Sequence, residues 1–393
     1  MRIASLTAMI IRLRLKKEFK HASFSRSYSD NFLVRCELAD GTTGWGEGIP
    51  REYVTGETPE GAMQQIAATD LNQQLGADCS DWSDVLQMCR NYQPDAGKPD
   101  PRRCLANAHR CAVELSILDA FGRLFRSPLS DIANMVEEVS DIYQPVAHVQ
   151  YSSAISSGKP RKEILSSLAM RIYGFHHCKV KVAMNPDRDP ERLRRMRRYV
   201  GSRMDLRVDA NEAWQPEEAA KRIEALEPFG ITCAEQPVSH RDVATLSDVR
   251  RNVRMPIMLD ESLTSELDAE RAIEEQTCDL FNIRLSKCGG FLSSLNLAAM
   301  AHRAGLGYQL GCHPGESGIL SAAGRHFATS IKNIRYREGS ADAHLLKDFI
   351  INESITFGRG GWAPALSAPG LGITVNESSL SALVLQSRSY PIT

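Results

Sequence analysis

Three carboxylates and three lysines recur at corresponding places in this chain, and that repetition makes them candidates for chemistry. In order they fall in Lys179-Val-Lys181, Asp209-Ala-Asn211, Glu235-Gln-Pro237, Asp260-Glu-Ser262 and Ser286-Lys-Cys-Gly-Gly290. Each cluster lies in or at the end of a short apolar run rich in β-branched residues. The clusters are spaced about 25 to 30 residues apart, the length of one strand–loop–helix–loop unit.

Residue type says what such a set can do. Asp209, Glu235 and Asp260 end three consecutive strand-like runs. Three carboxylates at one place repel one another unless a cation neutralises them. Oxygen ligands with no His or Cys beside them suit Mg2+ rather than zinc, and Mg2+ keeps positions open for water or a substrate carboxylate. One such acid alone would read as a surface residue at a loop start; three in step do not. Lys179 and Lys181 alternate around Val180, so both point to one face of their strand. Two ammonium groups close together and close to a metal are expected to have lowered pKa values, and a lysine so shifted is a general base near neutrality. An edge strand with two solvated lysines would explain the pair but not its step with the acid-bearing strands. Lys287 ends the sixth run, opposite the second around a ring, where a lysine can deliver or remove protons on the other substrate face. The Cys288-Gly-Gly that follows allows a tight turn.

The elements that must position these residues form an α/β chain. A repeated unit with charged residues at each strand's C-terminal end predicts a (β/α) barrel, whose catalytic groups converge at that end. The first strand is expected at residues 147–154 and its helix at 161–173. Units two to six carry the clusters, with helices at 190–200, 216–226, 241–250, 267–275 and 291–304. Strand seven is expected at 307–312, a helix at 318–330 and strand eight at 333–338. This gives eight strands and seven intervening helices, a TIM-type barrel over residues 136–348. Residues 1 to about 55 read as strands and 59–128 as helices (59–75, 82–89, 105–123), with Ala108, Ala112 and Ala120 suited to close packing. Residues 1–135 therefore read as an α+β capping domain. Residues 349–393 are rich in Gly, Pro and Ser and are expected to fold back on the cap. Two stretches, residues 19–28 and 49–58, have the composition of mobile lids, Arg51 and Tyr53 belonging to the second, although plain surface loops read the same way.

Composition removes several classes of function. The 393 residues carry a formal net charge of -1, with pI ≈ 6.8, which gives no support for nucleic-acid or anionic-membrane binding. Arg192, Arg194, Arg195, Arg197 and Arg198 cluster, but flanking acids suggest a solvated helix face. The ten cysteines form no CxxC pair, and several lie in apolar runs, as free buried thiols do. No signal peptide and no membrane-length run is visible. The expectation is a reduced, cytoplasmic protein with a small-molecule carboxylate as its partner; homo-oligomerisation is left open.

The clusters together resemble the enolase superfamily, specifically its muconate-lactonising subgroup. Trp45-Gly-Glu-Gly, residues 311–317 with Glu316, and Leu371-Gly-Ile-Thr-Val also fit, so the resemblance spans most of the chain. It implies a (β/α)7β barrel, a cap completed by the C-terminal tail, and one Mg2+ on Asp209, Glu235 and Asp260. It implies removal of a proton α to a carboxylate to give an enediolate, with Lys181 and Lys287 as acid/base groups and Lys179 tuning Lys181 and helping to hold the carboxylate. Asn211 and Glu261 would support the site, Glu316 belongs to the matching seventh-loop stretch, and Tyr53 or Arg51 would reach in from the cap; His313, beside Pro314, reads equally as a substrate contact or as a structural loop histidine.

The resemblance implies first a muconate cycloisomerase-like isomerase. The alternatives on the same enediolate are racemisation or epimerisation of an N-acylamino acid and dehydration of the o-succinylbenzoate synthase kind. A non-catalytic binding module on the same fold stands further off, since it would be under no physical requirement to keep all these groups. The last strand departs from the family's dipeptide epimerases, which carry Asp-x-Asp there for the substrate's ammonium. Here the stretch reads Arg335-Tyr-Arg-Glu-Gly339, and two arginines are expected to disfavour an ammonium and favour a second acidic group. A mandelate-racemase-like His–Asp dyad is not apparent, because Lys287 holds the sixth strand.

Overall fold

The computed structural model describes residues 1–20, 25–156 and 158–393. The first layer is antiparallel: β1 (Ile3–Lys20), β2 (Ser25–Leu38) and β3 (Thr43–Gly48). Short helices follow: α1 (Glu52–Thr55), α2 (Pro59–Ala68), α3 (Leu71–Leu75) and α4 (Trp82–Asn91). The single helix expected over 59–75 is two, because Asp70 caps a new one by accepting the Gln73 N–H. The long α5 (Asn107–Leu124) is buried along almost its whole length. It lies directly on β3. A Cβ on Gly44 would fall 2.1 Å from Ala120 N, and one on Gly46 or Gly48 would fall 1.9 Å from Ala112 O or Ala108 O. The alternate glycines of β3 and the small residues of α5 are thus one packing device.

The barrel begins later than expected. Residues 147–154 divide at Tyr151: β4 (His148–Gln150) leaves to pair with β13 (Trp362–Pro364), and only β5 (Ser153–Ile155) joins the barrel. The expected first strand is corrected accordingly. Its seven parallel companions are β6 (His177–Lys181), β7 (Asp205–Asp209), β8 (Ile231–Glu235), β9 (Ile257–Leu259), β10 (Leu280–Ile283), β11 (Gly307–Leu310) and β12 (Ile334–Arg337). They lie side by side in chain order. Each neighbouring pair from β5 to β12 shares a ladder. The ring is closed between its two ends by Ser152 N–H donating to Arg337 O, at 2.7 Å. Between the strands run α6 (Pro160–Tyr173), α7 (Asp189–Val200), α8 (Pro216–Glu224), α9 (Leu246–Asn252), α10 (Glu266–Glu274), α11 (Phe291–Arg303) and α12 (Gly318–Ser330). The chain is therefore a TIM-type barrel with a capping layer.

The arginine cluster on α7 is not a solvated face. Arg192 is buried and donates to Glu163 at 2.7 Å and Asp189 at 2.5 Å, and Arg195 reaches the same Glu163 at 2.5 Å. Arg197 donates to the carbonyls of Phe229, Met204 and Gly230. Only Arg194 and Arg198 point outward. These arginines tie α6 to α7 and the β7 and β8 entries, so that reading is corrected.

The tail after β12 contains α13 (Asp342–Leu345), α14 (Glu377–Ser381) and β14 (Val384–Pro391). β14 pairs antiparallel with β1, from Ser5 opposite Pro391 onward. The cap grips the barrel mouth through buried polar contacts. Glu47 accepts from Ser317 Oγ at 2.6 Å and from the Leu320 N–H, and Asn107 Nδ2 donates to Thr264 O and Lys287 O at 2.6 Å each. Among the described residues no helix is long and apolar enough to cross a membrane.

Candidate active site

The site is built on strand register. Lys181 stands opposite Asp209, and Asp209 opposite Glu235, on β6, β7 and β8. Asp260 follows one residue after β9. The loops that leave these strands turn sharply: Asn211 (φ 44), Glu212 (φ 66) and Gln236 (φ 38) have left-handed backbones, uncommon outside glycine and concentrated at functional sites. Gln236 locks two of the loops together. Its Oε1 accepts from the Asp260 N–H at 2.9 Å and its Nε2 donates to Ser262 Oγ at 2.7 Å.

Lys179 is buried at the centre. Its Nζ lies 3.3 Å from Glu235 Oε1, 3.5 Å from Asp209 Oδ2 and 2.9 Å from the Glu338 carboxylate. Burial works against its charge, but Glu235, Glu338 and Asp209 outweigh burial and raise its pKa. A depressed pKa is the expectation beside a metal; here three carboxylates surround the Lys179 ammonium and hold its pKa up. Lys181 is half-buried, with its Nζ donating to Asn211 Oδ1 at 2.9 Å. Lys287 is buried across the ring and donates to Asp260 O at 2.6 Å, Asn282 O at 2.9 Å and Asp260 Oδ1 at 3.0 Å.

Three groups at the centre carried no weight in the sequence reading. Arg284 donates to Asp260 Oδ2 and lies 3.8 Å from Glu235 Oε1. Arg207, fully buried, donates to Glu338 at 2.5 Å and to Ser152 Oγ at 3.3 Å. Glu338 is held well below its usual pKa: burial would raise it, but Lys179 and Arg207 prevail. Asp260 is likewise held low, by Arg284 and Lys287 against burial. Glu235 is pushed up by burial and by the neighbouring Asp209, Glu338 and Asp260, which Lys179 only partly offsets. Arg207 and Glu338 were findable. Each stands two residues from Asp209 or Tyr336 on its strand, so the alternation rule applied to Lys179 and Lys181 also aims them inward.

A cavity of about 580 Å3 opens onto this centre. Lys179, Lys181, Asp209, Asn211, Glu261, Arg284 and Glu338 line it, and Tyr53 reaches it from α1 in the cap. Other expected residues do not, and Glu235, Asp260 and Lys287 stand buried behind its wall. Arg51 is buried and spent on Ser29 Oγ and the carbonyls of Pro50 and Asp30, so it braces the cap loop. His313 is buried beside the cavity rather than in its wall, kept neutral by burial and the nearby Arg284. Glu316 accepts the His313 N–H at 2.6 Å and is pushed up to about 8 by burial; it holds the loop and does not line this cavity. Arg335 and Arg337 alternate with Tyr336 and Glu338 and are absent from the lining, so the last strand presents an acid here and not two arginines. Of the 19–28 stretch, the backbone at 21–24 and the side chains at 19–25 lie outside the described residues; Arg26 touches the seventh loop, donating to Pro314 O at 3.0 Å.

The donors at the centre fit a hard divalent cation. Asp209, Glu235 and Asp260 offer only oxygen, and Glu235 Oε2 is buried with no hydrogen-bond partner among the described residues. No three His, Cys, Asp or Glu side chains among the described residues are gathered at metal-holding distances. Lys179 stands between Asp209 and Glu235, and Arg284 and Lys287 hold Asp260. The ring thus carries its own counter-cations.

Residues 164–379, more than half of the chain, match the family described as Enolase C-terminal domain-like. The chain belongs to the enolase superfamily. It is similar to the N-succinyl-L-Arg/Lys racemase of Bacillus cereus, 29% identical over 391 residues and 98% of both chains. The crystal structure of the Bacillus cereus N-succinyl Arg/Lys racemase matches with a TM-score of 0.86 and 25% identity, covering 99% of this chain and 100% of that one. The dipeptide epimerase of Cytophaga hutchinsonii, solved with Mg and the dipeptide D-Ala-L-Val, matches with a TM-score of 0.82 and 27% identity over 99% of this chain and 100% of that chain. The muconate lactonizing enzyme of Pseudomonas fluorescens matches at a TM-score of 0.84 but 24% identity, covering 98% of this chain and 99% of that one, which supports the shared fold alone. As a member of this superfamily the chain is an enzyme of the isomerase or lyase kind, and the likenesses favour the racemase and epimerase alternative over the cycloisomerase reading.

Proposed function

We propose that this enzyme racemises an N-acylated amino acid, using Mg2+ held by Asp209, Glu235 and Asp260. The observation that carries the choice of substrate is the state of Glu338. It is the acid that the last strand turns toward the cavity, and Lys179 and Arg207 both neutralise it. A substrate ammonium would compete there with two fixed cations, one of them fully buried; a neutral amide nitrogen would not. Bound Mg2+ would supply positive charge at the substrate carboxylate, which is the charge the reaction increases.

The chain's own residues do the rest. Lys181, at the cavity wall and oriented by Asn211, takes the α-proton from one face. Lys287, across the ring, serves the other face. Lys179 holds a fixed ammonium beside the carboxylate as the enediolate charge develops. Tyr53 covers the mouth from the cap. Racemisation follows when a neutral lysine on one face takes the α-proton and the other lysine, as an ammonium, delivers a different proton to the opposite face.

The test is proton NMR in D2O with excess Mg2+ on N-acetyl- and N-succinyl-amino acids, unblocked dipeptides and cis,cis-muconate. Exchange and racemisation of the N-acyl compounds, with little on dipeptides, is expected. Lactonisation of muconate without exchange on any N-acyl amino acid would overturn the reading.

A further inference from the structure

The cavity is larger and more lopsided than the reaction needs. Its charged groups lie on the strand ends from β6 round to β10 and on Glu338. The remainder extends to the seam between the first and last barrel strands, where Ser152, Ala154 and Ser156 offer only small side chains. That seam is the one neighbouring pair without a ladder among the described residues, joined by the Ser152–Arg337 bond. The space continues between α6 and the segment after β12, walled by Ala169, Met170, Tyr173, Phe175, Leu345 and Phe357. Phe175 meets Phe357 edge-on at 5.7 Å and stacks on Tyr173 at 5.3 Å, so the wall is a preformed aromatic cluster. At its outer end Tyr173 and Leu345 are 38% and 42% exposed. Apolar side chains left in water around a cleft that runs into a catalytic cavity mark a ligand surface.

We propose that this annex binds a long apolar acyl chain, so that the preferred substrates are amino acids N-acylated by medium-chain fatty acids, with N-acetyl and N-succinyl compounds turned over less well. The proposal rests on the N-acylamino acid reading and adds the class of acyl group. The reacting carboxylate sits among the lysines. The acyl chain passes through the seam, over Ala154, and lies between α6 and the segment after β12. The open outer end sets no sharp limit on length.

Binding of saturated fatty carboxylates, from butanoate to decanoate, tests the annex without turnover. Calorimetry in excess Mg2+ is expected to show affinity rising about threefold to fourfold for each added methylene that enters the annex. Ala169→Trp, at an exposed helix position, fills the cleft, and Leu345→Asp places a charge at its rim; both are expected to flatten that slope. A flat slope in the wild type, or a slope that survives both substitutions, overturns the proposal. The racemase reading fails separately: if fatty carboxylates bind with the expected slope but no N-acyl amino acid of any chain length exchanges its α-proton, the annex stands and the assigned reaction falls.

Discussion

Replacing each of the two lysines proposed as acid/base groups by alanine separates chemistry from architecture, because the two sit in different surroundings. Lys287 is 1% exposed and spends its ammonium on Asp260 Oδ1 and two backbone carbonyls. Removing it leaves buried acceptors short of a donor. Breaking a buried ion pair costs about 3–5 kcal/mol, and the hydrogen bond from Arg284 that Asp260 keeps places Lys287→Ala near the lower end, about 3 kcal/mol. With about 2.1 cal/mol/K of unfolding entropy per residue, a chain of 393 residues that unfolds as one unit loses about 4 °C in Tm. Lys181 is half-buried and hydrogen-bonded to Asn211, so Lys181→Ala costs about 1 kcal/mol and about 1 °C.

Activity is expected to fall alike. Both variants lose racemisation by at least about 10^2 to 10^4, the usual effect of removing a general acid or base. The α-proton exchange should split by enantiomer: Lys181→Ala exchanges only the one served by Lys287, and the reverse holds for Lys287→Ala. The assays are differential scanning calorimetry and proton NMR in D2O on each pure enantiomer. Near-normal racemisation by Lys287→Ala, or exchange of the same enantiomer by both variants, would refute the two-lysine mechanism. Equal Tm values would refute the reasoning from burial.

Asp209→Asn should weaken Mg2+ binding by about 10^2 or more in calorimetry, since loss of even an outer partner of a ligand costs about 10 to 100-fold, with the circular dichroism unchanged. Glu338→Gln leaves the fully buried Arg207 without its anion and should cost about 3 kcal/mol, read as a lower urea midpoint. His326 links acid stability to the C-terminal segment. Its Nδ1 accepts the Ser130 N–H and its Nε2 donates to Leu371 O, and burial lowers its pKa to about 4 from 6.5. The unfolded chain therefore binds more protons between those values, so stability is full above about pH 6.5 and falls on the order of 3 kcal/mol by about pH 4. The difference in urea midpoints between wild type and His326→Gln should shrink across that window as pH falls; a difference independent of pH would exclude this linkage.

The strand ends were legible because each repeats a charged residue type after an apolar run, and register then gathers them without further information. Lys181, Asp209 and Glu235 stand opposite one another for that reason. The cap packing was partly legible in Ala108, Ala112 and Ala120, whereas Gly46 and Gly48 on β3 entered only through the Trp45-Gly-Glu-Gly resemblance and not as their packing counterparts. What failed depends on partners far away in the chain. Residues 148–150 look like the start of the first barrel strand until the tail at 362–364 claims them. Arg192 looks solvated until Glu163, on another helix, buries it. Arg335 and Arg337 were weighed as composition where alternation was the stronger rule, and Glu338 is the side chain that alternation aims inward.

Charge at the barrel mouth explains why the missed residues matter. Asp209, Glu235, Asp260, Glu261 and Glu338 face five basic side chains, Lys179, Lys181, Arg207, Arg284 and Lys287, and in the proposed mechanism one of the lysines must be neutral to take a proton. A substrate carboxylate brings one negative charge, and loss of its α-proton to a lysine leaves a second on the substrate. A mouth with no excess of positive charge favours that second charge weakly, and a divalent cation is the addition that would tip the balance toward it. Arg284 then has a particular place in the proposed reading. It occupies Asp260 Oδ2 while Lys287 holds Oδ1, so a metal on Asp260 would have to share or displace one of these two cations. Its Nε has no hydrogen-bond partner among the described residues, and it lines the cavity. A guanidinium displaced in this way would stay beside the substrate carboxylate, where its charge would stabilise the same added negative charge that the metal would stabilise.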